Sequence, residues 1–125
     1  MSVRLRRGNA AVVRPARRIT QTASIFAALG DETRLRIVTR LATGGPTSIA
    51  QLTQTTSTKE PMTRQAVTKH LHVLANAGVA KSARVGRERL WELERKPLDV
   101  ARQCLDGIFA QWDSALSRLK AFVED

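Results

Sequence analysis

Apolar residues recur every three or four positions in five segments of the chain, and this spacing predicts a mostly α-helical fold. The first segment, from Ile19 to Leu29, puts Ile25, Phe26 and Leu29 on one helix face. Asp31 can cap the next helix, because its carboxylate can accept a hydrogen bond from the unpaired N–H groups of the first turn. The predicted helices cover residues 19–29, the stretch from Asp31 to Gly44, a short stretch capped by Thr47, residues 63–77 and residues 97–124.

The fourth segment, TRQAVTKHLHVLANAG, predicts a helix with one apolar stripe and one polar face. Val67, Leu71 and Leu74 fall on the stripe when the chain turns by about 100° per residue. Thr63 can cap this helix, and Met62 can pack on Val67 as a hydrophobic staple. Gln65, Thr68, Lys69, His72 and Asn76 fall on the opposite half. The candidate contacts for a partner are Arg64, Gln65, Thr68, Lys69 and His72. Taken alone, this pattern also fits an ordinary solvated surface helix.

Residues 79–94, VAKSARVGRERLWELE, alternate in part around Gly86 and Arg87, which predicts a β-hairpin with Trp91 and Leu93 facing inward. The arginines near its tip are Arg84, Arg87 and Arg89. A charged tip is often only a solvated loop, but beside a polar-faced helix it matches the wing of a winged helix-turn-helix. Such a helix fits the roughly 12 Å major groove of DNA, where Arg can bind guanine and Gln can bind adenine. The wing arginines would bind phosphates or enter the minor groove.

The last segment carries the longest apolar repeat of the chain. It starts at Pro97, a residue favoured at the first helical position, and keeps an unbroken spacing of three and four. The repeat consists of Leu98, Ala101, Leu105, Ile108, Trp112, Ala115, Leu119 and Phe122, and it is widened by Phe109, Leu116 and Val123. A helix packed only on its own chain is the alternative, but a chain of 125 residues has little else to cover such a stripe. A two-fold dimer is therefore favoured. Its predicted interface consists of Leu105, Ile108, Trp112, Leu116 and Leu119, together with Phe26 and Leu29 of the first helix.

The chain is strongly basic, with 21 Lys and Arg against 11 Asp and Glu and a net charge of +10. Residues 1–18 contain six arginines, and no acid precedes Asp31. We therefore expect residues 1–18 to form a basic flexible arm and residues 19–125 to form the folded domain, which includes the dimerisation helix 97–124. A field of this sign attracts polyanions, and nucleic acid is the first candidate.

Three stretches, FAALGDETRLRIVTRLATGG, TRQAVTKHLHVLANAGV and GRERLWELE, resemble the ArsR family of winged-helix transcription regulators over roughly residues 22–123. The resemblance implies a homodimeric DNA-binding repressor whose recognition helix is Thr63 to Ala77. The expected fold class is mostly α, a dimeric winged helix-turn-helix of about five helices with a β-hairpin wing. The expected partners are double-stranded DNA and a second copy of the chain. A polar insert around Thr56 to Pro61 departs from the short turn of the family.

The best-known members of that family sense metals through a cysteine pair in the third helix or through His and acidic residues in the last helix. Here the third helix reads TSIAQLTQ and the last helix contains no His, so the thiolate and imidazole ligands are missing. His70 and His72 point about 200° apart on one helix and cannot chelate one ion. The chain is similar to the branch of the family without metal sites, and we expect no metal site and no cofactor.

No catalytic residues are predicted, because the chain has neither a Gly-rich phosphate loop nor a nucleophile paired with a base. No apolar run approaches the roughly 20 residues of a membrane helix, and we expect a cytoplasmic protein without a membrane partner. The predicted function is a sequence-specific transcriptional repressor that acts as a homodimer on a palindromic operator. Two alternatives stay open. One is a non-specific nucleic-acid-binding protein driven by the basic arm, and the other is a thiol-based redox regulator that uses Cys104, the single cysteine.

Overall fold

This computed structural model describes the backbone of residues 15–55 and 62–124, with side chains at residues 18–54 and 62–124. The helices of that part are α1 (Pro15–Leu29), α2 (Glu32–Gly44), α3 (Ile49–Thr55), α4 (Arg64–Asn76) and α5 (Arg95–Glu124). Its strands are β1 (Thr47–Ser48), β2 (Ala80–Val85) and β3 (Glu88–Leu93), which form an antiparallel sheet in the order β1-β3-β2. This arrangement is the predicted, mostly α winged helix-turn-helix, with β2 and β3 as the hairpin.

Two helices begin at the caps that the sequence predicts. The Asp31 carboxylate accepts a hydrogen bond from the Arg34 N–H at 3.0 Å, and the Thr63 hydroxyl accepts one from the Ala66 N–H at 3.1 Å. Each cap satisfies a backbone donor that has no partner within its own helix. The α2 helix ends where Gly45 adopts a φ of 71°, a conformation that glycine reaches without the steric cost of a Cβ atom.

The third helix begins differently from the prediction, because Thr47 and Ser48 form a short strand. Thr47 pairs with Trp91 and Ser48 with Leu90 of β3. The cap of α3 is Ser48 instead of Thr47. The Gln51 N–H donates to the Ser48 hydroxyl at 3.2 Å, and the Ser48 N–H donates to the Gln51 side-chain oxygen at 3.1 Å, which is a reciprocal capping box.

The first helix begins at Pro15, so the predicted boundary of the arm at residue 18 is wrong for its last four residues. Proline suits the first helical turn, where a backbone N–H would lack a partner. The Arg18 carbonyl accepts a hydrogen bond from the Thr22 hydroxyl at 2.7 Å, and the Arg18 guanidinium donates to the Gln103 side chain of α5 at 3.4 Å. The rest of the predicted arm, residues 1–14, and the polar insert at 56–61 lie outside the described residues.

The last helix begins at Arg95, two residues before the predicted start at Pro97. Pro97 still lies in the first turn, where its missing N–H removes no intrahelical hydrogen bond. Arg95 and Arg102 both contact the Asp99 carboxylate, at 3.4 and 3.2 Å, and stabilise this end of the helix. The helix therefore begins three residues before Leu98, the first residue of the apolar repeat from which it was predicted.

The core is built from one face of each helix and from the inner face of the sheet. Its buried members are Ile25, Ala28, Ile37, Val38, Leu41, Leu52, Val67, Leu71, Leu74, Val79, Ala80, Trp91 and Ala101. The predicted apolar stripe of α4, Val67, Leu71 and Leu74, has no exposed surface. Met62 packs against the same core just before that helix. The burial of the stripe leaves the opposite face of α4 in solvent.

One side chain at the start of α2, Arg34, joins α1 to α4. Its Nε donates to the Ala28 carbonyl at 2.7 Å and its Nη2 to the Ala27 carbonyl at 3.4 Å, both in the last turn of α1. Its Nη1 donates to Nδ1 of His70 in α4 at 3.3 Å. The guanidinium therefore links the end of α1 and the middle of α4 to the first turn of α2.

Replacing Asp31 with Ala should lower the free energy of unfolding by about 1 kcal/mol at neutral pH, the usual cost of removing a helix cap. The backbone hydrogen bond from Arg34 holds the pKa of the Asp31 carboxyl below its ordinary value of 3.8. A carboxyl whose pKa is lowered by folding stabilises the protein fully above its unfolded-state pKa, and this stabilisation is lost as pH falls through the folded-state pKa. Denaturant titrations from neutral pH to below pH 3.8 should show the difference between the two proteins shrinking at the acid end. A difference independent of pH would contradict the role of the charged carboxylate.

Candidate nucleic-acid interface

One face of α4 presents polar and cationic side chains to solvent. Arg64, Gln65, Lys69 and His72 are exposed, and Thr68 is half-buried. The Thr68 hydroxyl donates to the Arg64 carbonyl at 2.7 Å, which fixes the hydroxyl and leaves it able to accept a hydrogen bond. An open groove of about 590 Å³ lies along the first turns of this face, lined by Thr63, Arg64, Gln65, Ala66, Thr68 and Lys69. Gln65, Thr68, Lys69 and His72 thus lie on the side of α4 away from the buried stripe. Arg64 is exposed in the first turn, about 60° round the helix from Val67.

The hairpin carries two of its predicted arginines on the face that also carries Trp91. In the β2–β3 ladder Ser82 is opposite Trp91 and Arg84 is opposite Arg89, and residues two apart on a strand share a face. The Arg89 guanidinium donates to the Ser82 hydroxyl at 2.9 Å, which orients it along the strand. Two cations directly opposite each other repel. The face therefore favours an anion that can screen both charges.

The turn of the hairpin places the third arginine at its tip. Gly86 has a φ of 65° at the first position of the two-residue turn, where glycine adopts a positive φ at little cost. Arg87 follows it and is exposed. The predicted hairpin and its cationic tip are therefore present, with Arg84 and Arg89 on the strands and Arg87 beyond them.

His72 connects the polar face of α4 to the hairpin. The centroids of the His72 and Trp91 rings are 6.1 Å apart, with the ring planes at 51°. Trp91 is buried and lies two residues along β3 from Arg89, which is paired with Arg84. The polar face of α4 and the hairpin face that carries Arg84 and Arg89 are therefore adjacent at His72 and Trp91.

Lys81 lies on the opposite face of the hairpin and has local acidic partners. Its Nζ is 2.7 Å from the Glu94 carboxylate and 3.6 Å from the Glu92 carboxylate. The hydrogen bond and the charge of Glu94 raise the pKa of Lys81 above its ordinary value. The charge of Lys81 is therefore balanced within the domain.

Among the described residues, only the first two turns of α5 pack their apolar residues against the core of the domain. Leu98 and Ala101 pack in the core, whereas the predicted interface residues from Leu105 onward are exposed, Trp112 by 59%. The exposed apolar residues are Leu105, Ile108, Phe109, Trp112, Leu116, Leu119, Phe122 and Val123. Within residues 15–55 and 62–124, no part of the chain covers this stretch. The other predicted interface residues, Phe26 and Leu29, are half-buried against the core.

A groove of about 560 Å³ separates α1 from the first half of α5. Its walls are Arg18, Ile19, Thr22, Ala23, Phe26, Val100, Gln103 and Cys104. The Cys104 thiol is half-buried there. The thiol on which the alternative of a redox regulator depends therefore faces α1 and lies beside the exposed apolar residues of α5.

Sequence reasoning missed two positioning side chains, Arg34 and Ser82. Arg34 follows the cap residue Asp31 in a predicted first turn, but nothing in a local pattern shows that its guanidinium reaches α1 and α4. Ser82 is one polar residue in a polar hairpin, and its contact with Arg89 requires the register of the ladder. Within residues 15–55 and 62–124, there is no group of three or more side chains that could hold a metal ion, and no helix long and apolar enough to cross a membrane.

Comparison with known proteins connects this geometry to a family. A family model described as a helix-turn-helix domain matches residues 29–83. The chain is 40% identical over 77 residues to YuzN of Bacillus subtilis strain 168, an uncharacterized HTH-type transcriptional regulator, and the match covers 60% of this chain and 84% of YuzN.

Two solved structures share the fold. An ArsR-like transcriptional regulator from Rhodococcus sp. RHA1 is 36% identical, with a TM-score of 0.70 and coverage of 83% of this chain and 93% of that one. The solution structure of the homodimeric winged helix-turn-helix DNA-binding domain of Mb0332 from Mycobacterium bovis, a possible ArsR-family regulator, is 25% identical. Its TM-score is 0.60, over 84% of this chain and 90% of that fragment. With its helix order, its hairpin and these relatives, the chain belongs to the ArsR-type winged helix-turn-helix transcriptional regulators.

Proposed function

We propose that this regulator represses transcription as a homodimer on a palindromic site in double-stranded DNA, and that it does so without a metal. In this proposal α4 enters the major groove and the β2–β3 hairpin binds the neighbouring backbone. The protein acts in the cytoplasm by binding and not by catalysis. The observation that carries the proposal is the contact between His72, on the polar face of α4, and Trp91, on the arginine-bearing face of the hairpin.

The cations of this surface are available for phosphates. In the part of the chain that the structure describes, no carboxylate lies within ion-pair distance of Arg64, Lys69, Arg84, Arg87 or Arg89. Neutralising phosphates with such groups releases counterions from DNA and supplies most of the affinity that does not depend on sequence. The side chains of Gln65 and Thr68 can then read base edges between these anchors.

A second copy of the chain is the proposed cover for the exposed apolar face of α5. Eight large apolar side chains are exposed between Leu105 and Val123, which is more than a soluble monomer usually presents in one patch. The related Mb0332 domain is homodimeric. A two-fold interface would place two copies of α4 about one DNA turn apart, roughly 34–36 Å, which fits a palindromic operator.

The proposed independence from metals rests on ligand chemistry, because zinc and soft metals need several thiolate or imidazole ligands. The chain has one cysteine and two histidines, and the histidines project in different directions from α4. We expect the affinity for DNA to be the same with and without stoichiometric zinc in a fluorescence anisotropy titration. A tenfold change, about 1.4 kcal/mol, would contradict this part of the proposal.

Single substitutions should distinguish the residues that contact bases from the residues that contact the phosphate backbone. An operator can be selected by the wild-type protein from random duplexes and compared with a scrambled duplex of the same composition. Gln65→Ala or Thr68→Ala should weaken operator binding by about 1 to 3 kcal/mol and relax the preference at one or two base pairs of each half-site. Arg87→Ala should weaken binding to both duplexes alike and reduce the salt dependence by about 0.9 for each lost phosphate contact.

Lys81→Ala is the matched control for Arg87→Ala, because it removes a hairpin cation whose charge is already balanced by Glu94 and Glu92. It should leave both affinities and the salt dependence nearly unchanged. Equal losses on operator and scrambled DNA for Gln65, Thr68 and His72 variants would mean that α4 does not read bases. A wild-type protein that selects no sequence at all would favour the alternative of a non-specific nucleic-acid-binding protein.

Trp112→Glu should convert the dimer into a monomer, because it places an unpaired charge in the middle of an apolar interface. Phe109 stacks on Trp112, with ring centroids 6.4 Å apart and planes at 4°. Both lie within the exposed apolar stretch from Leu105 to Val123. Light scattering should report half the wild-type mass, and binding to the palindromic operator should be lost at concentrations where the wild type saturates it.

Gln111→Glu is the matched control, since it adds the same charge to an exposed neighbouring position about 100° round the helix. This variant should remain dimeric and bind the operator. A Trp112→Glu protein that stays dimeric and binds normally would show that another surface holds the copies together.

A further inference from the structure

We propose that Arg34 and His70 form a positioning pair that sets the orientation of α4 against the end of α1, and through it the sequence preference of the protein. Neither side chain lies on the polar face of α4. The inference rests on the proposed function, because it assigns the pair a part in base discrimination.

The guanidinium of Arg34 is held at one fixed place by the end of α1. It donates to the carbonyls of Ala28 at 2.7 Å and Ala27 at 3.4 Å. These carbonyls belong to the last turn of α1, where helix carbonyls lack intrahelical partners and the helix dipole favours a cation. Its own backbone N–H is bound by Asp31 at 3.0 Å, so both ends of Arg34 are fixed.

The remaining edge of the guanidinium is directed at α4. Nη1 of Arg34 lies 3.3 Å from Nδ1 of His70. Arginine can only donate, so this contact is a hydrogen bond in the tautomer whose Nδ1 is free to accept. The Asp31 carboxylate is 3.8 Å from the same Nδ1, which is beyond hydrogen-bond distance. One planar group thus binds α1 and α4 at the same time.

His70 lies on the side of α4 where it can orient the helix without contacting DNA. It is half-buried beside Leu71, and it is about 140° round the helix from Gln65, five residues away. The apolar stripe keeps α4 in the domain, but apolar contacts are not directional. The hydrogen bond to Arg34 adds a directional constraint at the middle of the helix.

We expect this constraint to increase the affinity for the operator and to leave the affinity for scrambled DNA unchanged. Hydrogen bonds to base edges weaken steeply when distances and angles change, so a small rocking of α4 would impair readout by Gln65 and Thr68. Attraction between cations and phosphates tolerates the same movement, because it acts over a Debye length of about 8 Å. The ratio of operator affinity to scrambled-DNA affinity is therefore the quantity that reports on the pair.

The test compares His70→Leu with His70→Gln in the full-length protein. Leucine has no acceptor for Arg34, and we expect it to lower the affinity ratio at least tenfold while binding to scrambled DNA changes less than twofold. Glutamine offers an acceptor oxygen to Arg34, and it should keep the ratio within threefold of the wild type. This rescue by an acceptor is not expected if position 70 only fills space.

Arg34→Lys provides a second variant that keeps the charge but loses the planar donor group. It should lower the affinity ratio as His70→Leu does, and the double variant Arg34→Lys with His70→Leu should lower it no further, because both changes break the same contact. Thermal unfolding and light scattering establish that each variant is folded and in the wild-type oligomeric state at the assay temperature.

Three results would overturn the inference. The first is an unchanged ratio in His70→Leu, and the second is an equal loss on both duplexes. The third is that neither His70→Leu nor Arg34→Lys is folded, which would make the pair a requirement of stability alone. A wild-type protein that does not discriminate between the duplexes would instead refute the proposed function, so the two failures are distinguishable.

Discussion

The burial of the apolar stripe of α4 is the constraint on which the rest of this molecule depends. Val67, Leu71 and Leu74 have no exposed surface. Burying side chains of this kind contributes on the order of 1.5 to 3 kcal/mol each. A rotation of α4 that reversed its faces would expose all three and bring cations into the core, where an unpaired charge is costly. The same stripe that anchors the helix therefore directs Gln65 and Lys69 outward.

The position of a cation, and not the total charge, decides whether it can take part in the candidate interface. Strand alternation puts Arg84 and Arg89 on the face that continues from α4, and Lys81 on the other. Lys81 meets two carboxylates there, whereas the arginines repel each other across the ladder. Within the described residues, the hairpin thus carries Arg84 and Arg89 on the side that adjoins α4.

The candidate DNA surface and the exposed face of α5 are connected through α1. The first half of α5 packs on α1, and the last turn of α1 is bound by Arg34, which also binds His70 of α4. From Leu105 onward α5 continues without cover from any described residue, over about 30 Å at 1.5 Å per residue. A small domain has too little interior to bury so long a face, so its apolar side is available to another molecule.

The sequence by itself determined the helices, the hairpin and the direction of each face, because helical spacing, strand alternation and caps such as Asp31 and Thr63 depend on near neighbours in the chain. The polar face of α4 and the arginines of the hairpin were therefore predictable. Only the tertiary structure decided that Thr47 pairs with Trp91 in an additional strand, and that Arg34 reaches His70. It also decided that α5 leaves the core after Ala101. These features join residues far apart in the chain, and their distances are set only when the core packs.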